Sequence, residues 1–335
     1  MGDDISDIAA LETCIGKTPG PMHLKVIDHL DAGAVRWLAA TPLIFIGFGT
    51  PGNIGVTLGG GPPGFAEAAG PARLRIPKRY IDSPEAIVRG DGFGALCLIP
   101  TVGESLRLNG RVAAITDDAI TIDIAECYIH CAKALIRSDF WKADPSAEIA
   151  SDPAEFLAAS RFIALASMDA GGHADMSPKG DPAGATIRLE NGVAHFAERP
   201  GNRRADSFRN ILTQPQIAVA ALVPGCTRIA LLHGAARLTQ DPKLRGIFAV
   251  RDKSPQLVTC LDPRHIDIID SPALQRAGVW PARAPESAID PAAVLVGHVK
   301  LSKERGLQAS LVRAATSLPG LMQKGLDRDY KTNLY

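Results

Sequence analysis

The sequence predicts a mainly β protein with a few short helices, in which two tandem halves share one antiparallel architecture. Three observations support this prediction. The chain has 335 residues, which exceeds the usual size of one domain. It repeats itself in a fixed register. Each half also contains buried and alternating apolar segments at the spacing of hairpin strands, which favours two small barrels over one parallel α/β sheet.

The repeat places the same residue types at the same positions of both halves. The aligned pairs of segments are 79–117 with 203–241, 57–64 with 177–184, and Arg137 and Trp141 with Arg276 and Trp280. The second half carries an insertion at 241–255, which predicts an added helix and turn. A register kept over so long a stretch indicates duplication.

The elements follow the same order in each half. In the first half we expect a helix over 22–40, then an apolar strand over 43–47, a Gly-rich turn and more strand. A short helix follows near an Asp-Ser pair, and in the second half Asp206 and Ser207 are suited to cap it. A buried strand and an alternating strand come next, GALCLIP and SLRLNGRVAAI in the first half, IAVAALVP and RIALLHGAARL in the second.

The alignment also gives domain boundaries. We assign 1–145 to an N-terminal half with a leading helix, and 150–285 to a C-terminal half. The remaining segment, 286–335, carries apolar residues at helical spacing, so we expect a helical tail that docks on a barrel or on another protomer. A homodimer beyond the internal pair of halves is left open.

Composition argues against several classes of partner. Lys plus Arg and Asp plus Glu number 36 each, so no overall positive field would recruit nucleic acid. No apolar run approaches the ~20 residues that a membrane span requires, and Asp3 and Asp4 oppose a signal peptide, so we expect a cytoplasmic protein. Cys127, His130 and Cys131 lack the spacing of a zinc site, and we expect no metal.

Gly47, Gly49 and Gly52 spell G-x-G-x-x-G after the apolar run PLIFI, as in dinucleotide-binding folds. That motif functions where a helix begins beside it and directs its N-terminal amides at a pyrophosphate. The residues that follow, 53–64, are too rich in Gly and Pro for a helix. We therefore interpret the motif as a hairpin turn.

The strongest chemical signal is the sequence ERPGNRRADS at 198–207, between a predicted strand and a predicted helix. Gly201 permits a tight turn, and Asn202, Arg203 and Arg204 place several hydrogen-bond donors together. Guanidinium groups match phosphate oxygens in geometry and charge. The turn therefore predicts a phosphate site, although a solvated basic turn has the same composition.

This turn resembles the phosphate-binding turn of pyridoxamine 5'-phosphate oxidase-like proteins, and further segments are similar to that family in the same order. They are SPKGDP, RPGNRRADSFRNIL and LVPG in the second half, and GGPPGF, LIPTVGESLRLNGR and YIHCAKALIRSDFW in the first. The resemblance implies a six-stranded antiparallel split β-barrel that dimerises, with FMN at the dimer interface. In this chain two tandem barrels would form an internal pseudo-dimer.

The resemblance also implies which residues bind FMN, because each site takes its phosphate turn from one barrel and a second wall from the other. The C-terminal barrel would contribute Ser177, Lys179, Asp181, Asn202, Arg203, Arg204 and Ser207. The N-terminal barrel would contribute His130, Lys133, Arg137 and Trp141. The opposite combination lacks both parts, because Gly59 stands in the place of Lys179 and Pro272 in the place of Lys133. We therefore expect one intact FMN site and one decayed site.

These inferences predict an FMN-dependent oxidoreductase that acts on an unknown small molecule, with the flavin carrying the hydride or electron chemistry. We assign no catalytic residue. A non-catalytic flavin or haem carrier and a pseudoenzyme are alternatives that the sequence leaves open. Ser177 and Asp181 are also typical of a turn, and His130 and Lys133 of structural packing.

Overall fold

The computed structural model describes residues 3–143, 150–201, 204–304, 310, 313 and 320–335. A two-residue strand, β1 (Asp4–Ile5), and helix α1 (Ile8–Ile15) come first, and two large antiparallel sheets follow. No helix formed by the described residues is long and apolar enough to cross a membrane.

The first sheet has seven strands. They are β2 (Leu43–Thr50), β3 (Asn53–Gly60), β4 (Glu67–Gly70), β5 (Arg73–Pro77), β6 (Gly92–Leu98), β7 (Ser105–Ile115) and β8 (Ala119–His130). Their order across the sheet is β3-β2-β6-β7-β8-β5-β4. Strands β2 and β3 form a hairpin around Pro51 and Gly52. The interpretation of the G-x-G-x-x-G sequence as a hairpin turn is therefore confirmed.

The second sheet repeats this arrangement. Its strands are β9 (Phe162–Met168), β10 (Ala174–Gly180), β11 (Ile187–Glu190), β12 (Val193–Glu198), β13 (Gln216–Leu222), β14 (Arg228–Thr239) and β15 (Leu257–Asp270). Their order is β10-β9-β13-β14-β15-β12-β11, which matches the first sheet strand for strand. Identical strand order in both halves is the structural expression of the sequence repeat.

The predicted fold class is confirmed: the chain is mainly antiparallel β with short helices, arranged as two split-barrel-like halves. Each main path has seven strands rather than the expected six, because the short hairpin strands β4 and β11 extend the two sheets. Neither sheet closes on itself, since both are open paths of hydrogen-bonded neighbours. The barrels are therefore split and not continuous.

Short helices lie between the strands and after the last one. They are α2 (Ala32–Ala39), α3 (Lys133–Arg137), α4 (Pro153–Ala159), α5 (Asp206–Thr213), α6 (Pro242–Ile247), α7 (Pro272–Ala277), α8 (Pro291–Leu301) and the C-terminal helix (Leu321–Thr332). Separate 3₁₀ turns occupy Gly20–Lys25, Lys78–Tyr80 and Pro84–Ala86. Helix α6 lies in the insertion at 241–255, as predicted from the repeat.

The helix expected over 22–40 is wrong in its first part. A 3₁₀ turn ends at Lys25, and Ile27 then forms a backbone bridge to strand β8. The α-helix begins only after Asp31, whose side chain accepts a hydrogen bond of 2.7 Å from the backbone N–H of Ala34. A capping aspartate fixes the start of a helix more sharply than apolar spacing does.

The two halves meet through an apolar junction. Strand β3 contacts β13 of the other half, and β10 contacts β6. Buried side chains from both halves form one cluster here, in which the ring centroids of Phe45 and Phe162 are 5.5 Å apart. Phe140, in the segment after α3, packs at 4.9 Å from the ring of Phe162. The junction is therefore a shared core.

The segment before the first sheet packs on the second half. Strand β1 pairs with Leu238 and Thr239 at the end of β14. Leu11 and Ile15 of α1 are buried among the core side chains of the C-terminal half. The N-terminal segment therefore packs on the C-terminal half. The domain boundaries assigned from the sequence stay a prediction.

Candidate functional site

A solvent-open cleft with a volume of about 120 Å³ lies at the junction of the two halves. Strands β7 and β8 and helix α3 form one side, and β10, the end of β12 and the start of α5 form the other. Eight of the residues predicted to bind FMN line this cleft. They are His130, Lys133 and Arg137 from the N-terminal half, and Ser177, Lys179, Asp181, Arg204 and Ser207 from the C-terminal half.

Three predicted residues are not among those that line the cleft. Asn202 and Arg203, at the tip of the basic turn, lie outside the described residues. The Trp141 side chain instead contacts neighbouring protein groups: its Nε1–H donates a hydrogen bond of 2.7 Å to the carbonyl oxygen of Val102, and its ring packs edge-on against Phe140.

Positive side chains outnumber negative ones among the described residues that line the cleft. The positive ones are Arg107, Lys133, Arg137, Lys179, Arg199 and Arg204, and the negative ones are Asp181, Glu198 and Asp206. The whole chain has no net charge, so this excess is local. A concave surface with an excess of one sign of charge concentrates ligands of the opposite sign, and here the excess favours an anion.

Two buried ion pairs fix the C-terminal side of the cleft. Lys179 Nζ lies 2.5 Å from Glu198 Oε2, and the Arg199 Nε–H donates a hydrogen bond of 2.8 Å to Asp181 Oδ2. Burial raises the pKa of both carboxyl groups, whereas the adjacent Lys179 and Arg199 lower it. The carboxylates hold these cations in place before a ligand arrives, so little side-chain entropy remains to be lost on binding.

Arg204 reaches across the junction from the basic turn. Its guanidinium lies over the Tyr128 ring, 4.5 Å from the centroid, and donates hydrogen bonds of 2.9 Å and 3.1 Å to the two carboxylate oxygens of Glu126. The Arg204 Nε–H also donates to the Asp206 carboxylate. The turn of one half is therefore anchored on strand β8 of the other.

The start of helix α5 differs from the expectation. Its N-cap is Ala205 in the left-handed region with φ of 58°, and it makes no side-chain capping bond. The prediction that Asp206 and Ser207 cap the helix is wrong, because the Asp206 carboxylate accepts a hydrogen bond from Arg204 instead. The hydroxyl of Ser207 lies 3.4 Å from that of Ser177 in the cleft.

His130 stands on the N-terminal side of the cleft in its neutral form. Burial lowers its pKa well below the ordinary value, and the nearby cations Arg107 and Lys25 lower it further. Its Nδ1 lies 3.3 Å from the Cys131 carbonyl oxygen. Because the His130 ring is neutral, Arg and Lys side chains carry the positive charge of the cleft.

Residues 329–335, here named the strap, lie along the rim of the cleft. Asp329 Oδ2 is 2.9 Å from Lys133 Nζ, and the Leu334 carbonyl oxygen accepts a hydrogen bond of 2.9 Å from Arg137 Nη1. The Tyr335 ring lies 5.5 Å from the Arg199 guanidinium. The strap therefore touches both halves through side chains that also line the cleft.

The corresponding place in the other half of the junction is occupied by protein groups. The Asp82 carboxylate, at the position equivalent to Asp206, accepts hydrogen bonds of 2.5 Å from the Ser271 hydroxyl and 2.8 Å from the backbone N–H of Ala273. There Gly59 and Pro272 occupy the positions of the two cleft lysines. Within the described residues, the start of helix α7 therefore packs against Asp82 at the place where the first cleft has cationic side chains.

Sequence reasoning missed several residues of the cleft. Arg107 lines this cleft, and the alternation of Arg107 and Asn109 on a buried strand was the available signal for inward-facing polar residues, although Asn109 itself lies outside this cleft. Glu198 and Arg199 begin the basic sequence at 198–207, but neither was predicted as a binding residue. The strap gave no signal, because its contacts join residues far apart in sequence. No group of three or more His, Cys, Asp or Glu side chains among the described residues is arranged to hold a metal.

Comparison with known proteins gives matches among solved structures alone. Neither a protein-family model nor a curated protein matches the chain. Among solved structures, HupZ of Group A Streptococcus is 18% identical over 34% of this chain and 88% of its own, with a TM-score of 0.28. General stress protein 26 of Bacillus anthracis is 16% identical, over 33% of this chain and 84% of its own, with a TM-score of 0.26.

An F420 reductase is 15% identical, over 35% of this chain and 98% of its own, with a TM-score of 0.27. Each of these matches spans about a third of the chain. The fold assignment rests on the strand order of the two sheets and not on these similarities.

Proposed function

We propose that the chain is an FMN-binding flavoprotein of the pyridoxamine 5'-phosphate oxidase-like class, and that it acts as an FMN-dependent oxidoreductase on a small molecule. The observation that carries this proposal is the cationic cleft at the junction, built from both halves. It contains eight of the eleven residues that the sequence resemblance implies, drawn from both halves.

The donor groups of the cleft fit a flavin phosphate. The Arg107 Nε–H is buried and has no hydrogen-bond acceptor among the described residues, so it is available to an anionic oxygen. Arg204 and Lys179 add positive charge from the C-terminal half, and Lys133 adds it from the N-terminal half. Charge-assisted hydrogen bonds of this kind are the strong ones in phosphate recognition.

The apolar lining of the cleft would accommodate a flat ring. Phe208, Pro178 and Ala134 contribute carbon surface beside the cations. When bound, the flavin would supply hydride or electron transfer, and the chain would orient it and exclude water from one face. Burying the ring against both halves would contribute several kcal/mol at ~25 cal/mol per Å² of apolar surface.

The test of this proposal is the identity and stoichiometry of the cofactor in the purified full chain. Released cofactor with the mass of FMN, at one equivalent per chain, supports it. Two equivalents would refute the single-site interpretation, and a haem absorbance band would favour the carrier alternative. Reduction of bound flavin by NADH or NADPH in stopped flow would separate an oxidoreductase from a carrier.

A further inference from the structure

A second cleft, of about 550 Å³, adjoins the first at the same junction. The two share Arg204 and Asp206 as a common wall. Strands β7 and β8 of the N-terminal half and β10 of the C-terminal half line the second cleft. The proposed cofactor role leaves this cleft unexplained.

Two residues that line the second cleft each have a buried acceptor oxygen without a hydrogen-bond donor among the described residues. These oxygens are Asn109 Oδ1 and Asp175 Oδ2, and the two side chains belong to residues that are 7% and 4% exposed. The Asn109 Nδ2–H₂ group donates 2.8 Å to Glu126 Oε2 and 3.3 Å to Asp175 Oδ1, which orients both acceptors. Buried acceptors without donors are uncommon in proteins, so a ligand that brings N–H groups would satisfy them.

The charge of the second cleft points to the same kind of ligand. The carboxylates of Glu126 and Asp206 share one guanidinium, that of Arg204. Asp175 pairs with Arg107 through one oxygen only. Among the described residues, five carboxylates and two arginines, Arg111 and Arg204, line the second cleft, whereas the first cleft has an excess of cations. A protonated nitrogen would balance the second cleft.

The two clefts lie side by side, two residues apart along strands β7 and β10. Ser177 in the first and Asp175 in the second are alternate residues of β10, and Arg107 and Asn109 are alternate residues of β7. Alternate residues of a strand share a face and are about 7 Å apart. A group held by Asp175 and Asn109 would therefore lie beside a cofactor held in the first cleft.

The other half of the molecule provides an internal comparison. His233 pairs with His265 across β14 and β15, immediately before a bulge at Gly234, as Asn109 pairs with Glu126 before a bulge at Gly110. The position of Asp175 corresponds to Gly55 in the sequence repeat. Asn109 and Asp175 are therefore replaced by His233 and Gly55 at the equivalent positions of the repeat.

We propose that the second cleft is a substrate subsite for a small molecule bearing a protonated amine, amidine or guanidine. Its N–H groups would bind to Asn109, Asp175 and Glu126, with the reacting part of the substrate directed toward the first cleft. The assignment as a substrate subsite rests on the proposed flavin function; the binding of a cation does not.

The test compares three probes of equal size on the full chain: n-butylamine, n-butanol and butyrate, at constant ionic strength and pH 7.5. Saturation-transfer NMR would give their relative affinities, and the flavin content of the same samples would be read by absorbance. We expect butylamine to bind best. Glu126→Gln, which keeps size and shape, should weaken butylamine about fivefold and leave butanol unchanged, and His265→Gln at the matched place should change neither.

Equal affinity of the three probes in a flavin-loaded chain would overturn the subsite while leaving the flavin function intact. Selective butylamine binding that depends on Glu126 in a chain without flavin would support cation binding and refute the flavin function. Asp175→Asn provides a second variant in case Glu126→Gln does not fold, because it also keeps the side-chain shape. Unchanged butylamine affinity in both variants would overturn the proposal.

Discussion

The Nε–H of Arg137 donates a hydrogen bond of 3.0 Å to the carbonyl oxygen of Gly180, and so ties the last helix of the first half to the first hairpin of the second. The reciprocal bond, of 2.9 Å, runs from Arg276 Nε to the Gly60 carbonyl oxygen. At both glycines the other half approaches closely: an added Cβ atom would lie 2.1 Å from the Ala134 carbonyl oxygen at Gly180 and 1.9 Å from the Ala273 carbonyl oxygen at Gly60. This pair of contacts fixes how the halves meet, and therefore the width of the cleft between them.

Gly180→Ala should strongly destabilise the protein. A Cβ atom at this position would lie 2.1 Å from the Ala134 carbonyl oxygen, so helix α3 would have to move. We expect a loss of about 3 kcal/mol in the free energy of unfolding, the upper range for an overpacked interior. Urea denaturation would measure it. Gly246→Ala, where nothing lies within 4 Å of an added Cβ, is the control, and an equally large loss there would contradict the explanation.

Lys133→Ala should weaken FMN binding about tenfold, since a charge-assisted contact to phosphate contributes on the order of 1.5 kcal/mol. Lys133 is 5% exposed and lines the cationic cleft. Flavin fluorescence titration would measure the dissociation constant. Pro272→Ala changes the matched position of the other half and should leave it unaltered. Equal effects of the two substitutions would show that the cofactor lies elsewhere.

Asp329→Asn should tighten FMN binding by about threefold. The Asp329 carboxylate neutralises Lys133 from the strap, and its partial exposure keeps the contribution below about 1 kcal/mol. The same titration applies, with Asp327→Asn as the control, because Asp327 is exposed on the same helix and bonds only to Gln323 among the described contacts. Weaker binding in Asp329→Asn would mean that the carboxylate positions Lys133 and does not compete with phosphate.

The His130 environment predicts a pH dependence of stability. The folded-state pKa of His130 lies well below the unfolded value of about 6.5, so the unfolded chain binds the proton more readily. Its contribution to stability is complete above pH ~6.5 and is lost as the pH falls below that value. Between pH 7.5 and 5.5 the wild type should lose about 1.4 kcal/mol more than His130→Gln, measured by urea denaturation at both values. Parallel losses in both proteins would contradict this assignment.

Much of the fold could be predicted because a duplication makes each half a check on the other. The aligned Arg137 and Arg276, found from the repeat alone, make equivalent hydrogen bonds in the structure. The side chains gathered in the cleft were predictable to the extent that they belong to aligned motifs. Lys133 and Lys179 are examples, since each is missing from the opposite half.

The remaining features depend on contacts between distant segments. The Arg107 and Asp175 ion pair joins strands of different halves, and no local pattern specifies that pairing. The same holds for Lys133 and Asp329, which meet only because the C-terminal helix returns to the junction. Asp31 shows a different limit. Its capping bond starts the helix at Ala32, whereas apolar spacing alone predicted a helix that begins at residue 22.

The pairing of β1 with Leu238 and Thr239 has a consequence for the order of folding. A chain folding from its N-terminus can complete the first sheet before the second exists, but Ile5 and the apolar face of α1 then lack their native partners. Contacts of such high sequence separation slow folding, because a long loop must close before they form. We therefore expect residues 4–15 to join the native structure late, and until then to expose apolar surface that is prone to association.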